Sequence, residues 1–494
     1  MSALPDWLNP LYEAAEMRAA DVWAIEQAGV PQEDLMERAA LGLARVTAAA
    51  AGGGGPIRIV AGKGNNGGDG RVAARLLEED GRAVEVIDGT EPFEPERLEA
   101  SGVVVDALLG TGFEGSPREP VASAIAAINT QGAPVVACDV PSGVNASTGE
   151  IEAEAVRADA TATFHGSKVG LRVEPGKAHA GRVEVVEIGI PRGAPGPAAA
   201  GLISERVLGL YPRRRRSGSK FESGVVVVVG GSMGLTGAPT MAARAAQRAG
   251  AGYVQVAVPG PVQPAVDLRL LEQMSRGLPD DDGFHTPAGI GEVEEIAQRA
   301  GALVLGPGLG RAEGAQEFAR GVAMAVEAPV LVDADGLNAH AGRLALLRER
   351  EAPTVLTPHE AELGRLLELE PDEVAAHRVE AAREAAERSG AVVLLKGDDT
   401  IVARPGGPLA ISPGGTPALA TAGTGDVLSG LVGALLAKRM DPFEAASLGA
   451  LAHVLAARHA AGRLGPDHVM AGDVIEALPH GLTLRSAHKP ERQH

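Results

Sequence analysis

A chain of 494 residues is too long for one ordinary hydrophobic core, and its 45% apolar content can fill more than one. Aromatics supply only 2%, so those cores must be built from Ala, Val, Leu and Ile, while 66 glycines imply many tight turns and close backbone approaches. A formal charge of −19 argues against a nucleic-acid or anionic-membrane partner, because both need a cationic face.

The N-terminus (MSALPDWLNPLYEAAEMRAAD) is acidic and lacks the apolar stretch of a signal peptide. No run of about 18 apolar residues occurs to span a membrane. One cysteine, Cys138, precludes an internal disulfide and suits a reducing cytoplasm. A soluble, cytoplasmic chain with small-molecule partners is the expectation.

In chain order, IRIVA at 57–61 reads as a buried strand and GRVAARLLEED at 70–80 as a helix. Strands are predicted at 83–88, 103–110 and 134–143. A Pro/Gly/Ala stretch at 191–201 reads as a linker. A second series follows at 224–231, 253–258, 302–308, 329–336, 353–360 and 391–399, with a helix at 426–438. The tail from about 484 is polar and expected to fray. Short apolar strands alternating with helices predict parallel sheets covered on both faces. The fold class is α/β, with two dissimilar three-layer domains at 1–202 and 203–494, the first Rossmann-like.

GKGNNGGDG at 62–70 follows a strand and opens a helix. Gly62, Gly64 and Gly67 match the dinucleotide fingerprint, with Glu85 or Asp88 about twenty positions on, so a dehydrogenase must be weighed. A bare glycine turn explains the same pattern. Neither accounts for Asn65, Asn66 and Asp69 together, nor for Asp106, Asp139 and Ser142 at the ends of later strands. Side-chain oxygens suit a hard cation, and glycine loops suit a phosphate.

GNNGGDG, VDALLGTG, DVPSGVNASTGE and HGSKVGL, in this order, resemble the NAD(P)H-hydrate epimerase family over roughly residues 10–190. The resemblance implies that Asn65, Asn66, Gly67, Gly68, Asp69, Gly110, Thr111, Gly112, Phe113, Glu114, Gly115, Ser116 and Asp139 contact the hydrated dinucleotide (NADHX or NADPHX). It also implies that Asn66, Asp106 and Ser142 hold a potassium ion, and it includes Lys168. In the hydrate, the ring nitrogen can expel hydroxide, and water can re-add to either face. Asp139 is favoured over Asp106 as acid or base, because a carboxylate on a cation is the poorer base.

Glycine turns recur at GGSMGLTGAPT (230–240) and GPGLG (306–310). TPHEAEL at 357–363 and KGDDT at 396–400 follow strands. TAGTGDVLSG at 421–430 aims backbone amides at a helix start, an anion hole, and places Asp426 where the helix dipole favours its ionised form. A simple capped helix would show the same Asp.

Together these segments resemble ADP/ATP-dependent NAD(P)H-hydrate dehydratases of ribokinase-like fold over about residues 205–480. That implies hydrate contacts from Ala238, Gly308, His359 and Asp426. It implies nucleotide contacts from Lys396, Gly397, Asp398, Asp399, Thr400 and Gly425. Asp426 and Asp139 are then the catalytic residues, with ADP and Mg²⁺ at the second site, and Glu362 is a possible aid to the metal. Leu235 departs from the expected Tyr. Asp333 and Asp335 either support the site or form a turn.

Arg213–Arg216 read as a solvated run, and His340, His453 and His459 lack zinc spacing. A ribokinase-type kinase fused to a non-catalytic module is the main rival. Ala-rich helices make a homo-oligomer the expectation.

Overall fold

Every residue of Val103–Ala107 is buried, which a strand achieves only when both faces of its sheet are covered. In the computed structural model, which describes residues 4–51 and 54–484, that is the arrangement. Val103 and Val105 pack with Leu43 of helix Gln32–Ala50 and with Ala73 and Leu77 of helix Asn65–Glu79. Val104, facing the other way, packs with Ile125 and Ile128 of helix Val121–Thr130. The expected tail beyond 484 lies outside the described residues.

Six parallel strands form this sheet, in the spatial order Val84–Asp88, Ile57–Ala61, Val103–Ala107, Val135–Cys138, Ala160–Phe164 and Arg182–Val186. The chain steps outward from Ile57–Ala61 to Val84–Asp88, then crosses back to Val103–Ala107. The order therefore reverses between the carboxyl ends of Ile57–Ala61 and Val103–Ala107, which is where open α/β sheets form their crevice.

Predicted strands such as 103–110 and 134–143 end earlier, at Ala107 and Cys138, and the helix expected near 70 begins at Asn65. Its glycines argue for a loop by propensity, but packing requires them. A Cβ on Gly67 would sit 2.0 Å from the Gly62 carbonyl oxygen, and one on Gly70 would sit 2.7 Å from the Ala107 Cβ. The glycines allow the helix to lie against its own strand loops.

A second sheet repeats the logic with different residues. Its parallel strands run, in space, Met274–Leu278, Tyr253–Pro259, Val225–Val229, Ala302–Leu305, Val330–Val332, Thr354–Leu356 and Val392–Leu395. Ile401–Ala403 and Leu409–Ile411 extend it antiparallel. The order reverses between Val225–Val229 and Ala302–Leu305. Helix Thr424–Ala437 packs on helix Gly237–Arg248 so closely that a Cβ on Gly430 would meet the Ala242 carbonyl oxygen at 2.0 Å.

The chain divides into two compact units, one chiefly Asn9–Gly201, the other chiefly Leu202–Val374 with the residues from Val379 onward. Within 191–201, strand begins only at Ala200. Among the described residues, no helix is long and apolar enough to cross a membrane.

Candidate active sites

At the first crevice, turns from both switch-point strands line a cavity of about 720 Å³. Its wall includes Asn65, Asn66, Asp69, Gly110, Thr111, Gly112, Phe113 and Asp139. Beneath it, Asp106 and Ser142 are buried and joined: Ser142 Oγ donates to Asp106 Oδ1 at 2.6 Å, and Ser142 N donates to Oδ2 at 2.8 Å. Asn66 Nδ2 donates to the Leu109 carbonyl at 2.8 Å, and Leu109 N donates to Ser142 Oγ at 2.9 Å. Asn66, Asp106 and Ser142 thus meet around Leu109. Gly67 and Gly68 do not line the cavity: a Cβ on Gly67 would meet the Gly62 carbonyl oxygen, and one on Gly68 would lie 3.2 Å from Met36 Cε. Glu114, Gly115 and Ser116 do not line the cavity, and exposed Ser116 bonds to Glu152 at 3.3 Å.

Lys168 and Asp139 form a buried pair at 2.5 Å. Lys168 Nζ also donates to Thr163 Oγ1 at 3.0 Å and to the Phe164 carbonyl at 2.8 Å, so its donors are used. Asp139 accepts further from Phe164 N and from the Thr111 hydroxyl. Burial alone would raise the Asp139 carboxyl, but the Lys168 charge and these donors outweigh it and hold it low. Asp106 has no such cation, and burial pushes it up to about 6.

Arg18 and Asp21, from helix Ala14–Glu26, also line this cavity and were absent from the sequence expectation. They sit three apart, beside the buried Met17, Ala20 and Ala24. That helical spacing was the available signal.

At the second crevice, Gly308 (φ +66°) abuts Ala238: a Cβ there would lie 3.2 Å from the Ala238 Cβ and 2.7 Å from the Leu235 carbonyl oxygen. Gly310 N donates to Asp335 Oδ2 at 3.0 Å. Buried Asp333 settles the choice left open in the sequence, because it is a hub and not only a turn former. It accepts from Thr357 Oγ1 at 2.9 Å, Lys396 Nζ at 3.1 Å and Ser429 Oγ at 2.6 Å. Lys396 reaches Glu362 Oε2 at 3.5 Å, and a Cβ on Gly425 would be 3.8 Å from its Nζ. Burial opposes the Lys396 charge, but Asp333 and Glu362 more than restore it, so its pKa is raised.

His359 caps helix Glu360–Leu367: its Nδ1 accepts from Ala361 N at 3.1 Å and Glu362 N at 3.3 Å. Those bonds assign its proton to Nε2, 3.6 Å from Glu362 Oε1. Thr400 Oγ1 donates to the Gly397 carbonyl at 2.8 Å, and Asp398 Oδ1 accepts from Gly415 N at 2.8 Å. Asp399 is buried in the same turn.

The expectation that the helix dipole favours the ionised form of Asp426 is opposed by its surroundings. Burial, then the charges of Asp333, Asp335 and Glu362 against that of Lys396, raises it to about 7. His453 is buried behind this helix and His340 beside Gly336, both neutral by burial. Arg213–Arg216 are exposed.

Residues 226–480 match a family described as NAD(P)H-hydrate dehydratase, and 32–99 and 87–170 match the YjeF-related protein N-terminus. The bifunctional NAD(P)H-hydrate repair enzyme Nnr of Salinibacter ruber is 40% identical over 95% of this chain and 95% of its own. Its namesake from Moorella thermoacetica is 38% identical over 96% of each. The chain belongs to this family of bifunctional NAD(P)H-hydrate repair enzymes. A solved ADP/ATP-dependent NAD(P)H-hydrate dehydratase from Bacillus subtilis aligns with 57% of this chain and 97% of its own, at 26% identity and a TM-score of 0.49.

This repair enzyme carries an epimerase half around the first crevice and a dehydratase half around the second. Its epimerase half gathers oxygens of Asp106, Ser142 and the Leu109 carbonyl, the last of which accepts from Asn66 Nδ2, around a buried carboxyl that lacks a cationic neighbour among the described residues, a donor set that fits a hard cation. Its dehydratase half gathers Asp333, Glu362 and Asp426 about the amine of Lys396, with Asp335 paired to Arg311 at 3.4 Å, an excess of carboxyl groups that fits a divalent cation.

Proposed function

We propose that the epimerase half interconverts the R and S hydrates of NADH and NADPH, and that the dehydratase half returns the S form to NADH or NADPH using ADP. The observation that carries this reading is the half-buried Asp426 in the first turn of helix Thr424–Ala437, beside Lys396 and the Gly423–Gly425 turn, with its carboxyl raised. Asp426 accepts the proton of the ring hydroxyl. The hydroxyl oxygen then bonds to the terminal phosphorus of ADP, and AMP departs. Amides of the Gly423–Gly425 turn and Lys396 receive the charge that develops on the phosphoryl oxygens. Phosphate leaves the ring more readily than hydroxide, pushed by the nitrogen lone pair, and the cation so formed loses a proton from the adjacent ring carbon to phosphate or solvent, which restores the dihydronicotinamide.

Mg²⁺, which Glu362 helps to place, supplies neutralisation of phosphate charge when bound. Ala238, Gly308 and His359 shape the hydrate pocket, and Gly397 through Thr400 hold the nucleotide. In the epimerase half, Asn65, Asn66, Asp69, Gly110 through Phe113 and Asp139 line the cavity and form the dinucleotide site, which Gly67, Gly68 and Glu114 through Ser116 flank in sequence. Asn66, Asp106 and Ser142 hold K⁺, whose charge balances Asp106. Domain limits of 1–202 and 203–494, a cytoplasmic location and a homo-oligomer complete the reading.

The test is stoichiometry. With S-hydrate and ADP, reduced nicotinamide, AMP and inorganic phosphate should appear one to one to one. A stable phosphoester with no gain in reduced-nicotinamide absorbance would replace this reading with that of a kinase.

A further inference from the structure

Asp69 differs from Asp106 and Asp139, the buried acids at the strand ends, and from Asp21, which is only half-buried. Asp69 is 8% exposed, lies near the start of helix Asn65–Glu79 and lines the 720 Å³ cavity. Asp106 is tied to Ser142 and Asp139 to Lys168, whereas Asp69 makes no hydrogen bond or ion pair among the described residues. A buried carboxyl without a partner is costly to charge, so it either keeps its proton or waits for a ligand.

We propose that Asp69 is the acid that protonates the departing ring hydroxyl in the epimerase half, a role that rests on the assignment of that half above. In this step the ring C–O bond breaks, and its electron pair stays on oxygen. That oxygen takes the Asp69 proton and leaves as water. The ring-nitrogen lone pair becomes the new C=N bond of a planar cation, and Asp69 is left as a carboxylate. Water then re-forms the C–O bond on either face, and the proton it releases restores Asp69 directly or through solvent. Nothing is gained or lost overall.

The surroundings support this division of labour. Asp21 faces Asp69 from helix Ala14–Glu26, and Asp139 with Lys168 faces it from the strand ends; Arg18 and Lys63 complete the charged wall. Burial, then the charges of Asp139 and Asp21, pushes Asp69 up to about 8, while Asp139 is held low by Lys168. Carboxyls driven apart in this way leave one able to donate and the other charged, where it can face a cationic ring. Lys168 is a poor donor candidate, with its protons already committed to Asp139, Thr163 and Phe164.

The test uses the full chain in saturating K⁺, comparing wild type with Asp69→Asn and Asp69→Glu. Epimer exchange is followed by chromatography, and NADP⁺ serves as a non-reacting probe of binding by calorimetry. Asp69→Asn should lower kcat by about 10²–10⁴-fold, with KM and NADP⁺ affinity little changed, and Asp69→Glu should recover part of the rate. Wild-type kcat should fall as pH rises through about 8, where the acid loses its proton, and Asp69→Asn should lack that fall. A near-normal kcat in Asp69→Asn, or a loss confined to KM and probe affinity, would overturn the proposal. A wild type that binds NADP⁺ yet exchanges no epimers would instead remove the assignment of the half itself.

Discussion

Lys168 has no exposed surface and three bonds to make, and it makes them to Asp139, Thr163 and Phe164. Removing its amine would leave the Asp139 carboxylate buried without a counter-ion. Lys168→Met should therefore destabilise the first unit by about 3–5 kcal/mol, read from denaturant midpoints. Asp426 carries the opposite stress. Its folded pKa of about 7 lies above its ordinary value of 3.8, so the folded state binds the proton more tightly than the unfolded one. Stability from this group is greatest below about pH 4 and declines as pH rises to about 7. Asp426→Asn lacks that decline, so relative to wild type it should be more stable at pH 8 than at pH 4, while losing dehydratase activity. Equal differences at both pH values would contradict the burial account. The dehydratase kcat should correspondingly rise with pH through about 7, as Asp426 becomes a base.

The elements that carry chemistry owe their shape to residues whose propensities point elsewhere. Helix Asn65–Glu79 carries glycines in its first turns because a Cβ on Gly67 would overlap the Gly62 carbonyl. Gly67→Ala should shift or fray this first turn, costing roughly 1–3 kcal/mol and most of the epimerase rate, since Asn66 and Asp69 ride on it. Thermal melting and epimer exchange, measured together, check this. The same conflict explains what was legible in the sequence. Continuous apolar strands such as Val225–Val229 and Val392–Leu395 announce themselves, and so do the glycine turns that end them. Ile401–Ala403 and Leu409–Ile411 are too short for a period to show, and Met274–Leu278 is an exposed edge. Arg18 and Asp21 escaped because a helix far off in sequence brings them to the cavity, and their spacing marks a helix face without marking a site. The protonation of Asp426 depends on Asp333, Asp335 and Glu362, which only the fold brings near it.

Across the whole molecule, two unlike sheets use one device: each reverses its strand order, and each places its glycine turns and acids at the reversal. The two chemistries follow from what the acids face. In the first half a lysine-held carboxylate and an unpaired one surround a cavity suited to a ring that turns cationic. In the second, several carboxylates share one lysine beside an amide-lined turn suited to a phosphoryl group. Because the machinery of each half lies within its own unit, the activities should separate. Asp106→Ala should lose epimer exchange and keep dehydration of the S-hydrate, with Asp426→Asn showing the reverse.

The most direct measurement incubates the chain with both hydrate epimers, ADP and Mg²⁺ and follows reduced-nicotinamide absorbance to completion. Wild type should recover the reduced coenzyme from both epimers, and Asp426→Asn should recover none while the epimers still exchange. Recovery by Asp426→Asn, or recovery by wild type that stops once the S form is spent, would contradict the account.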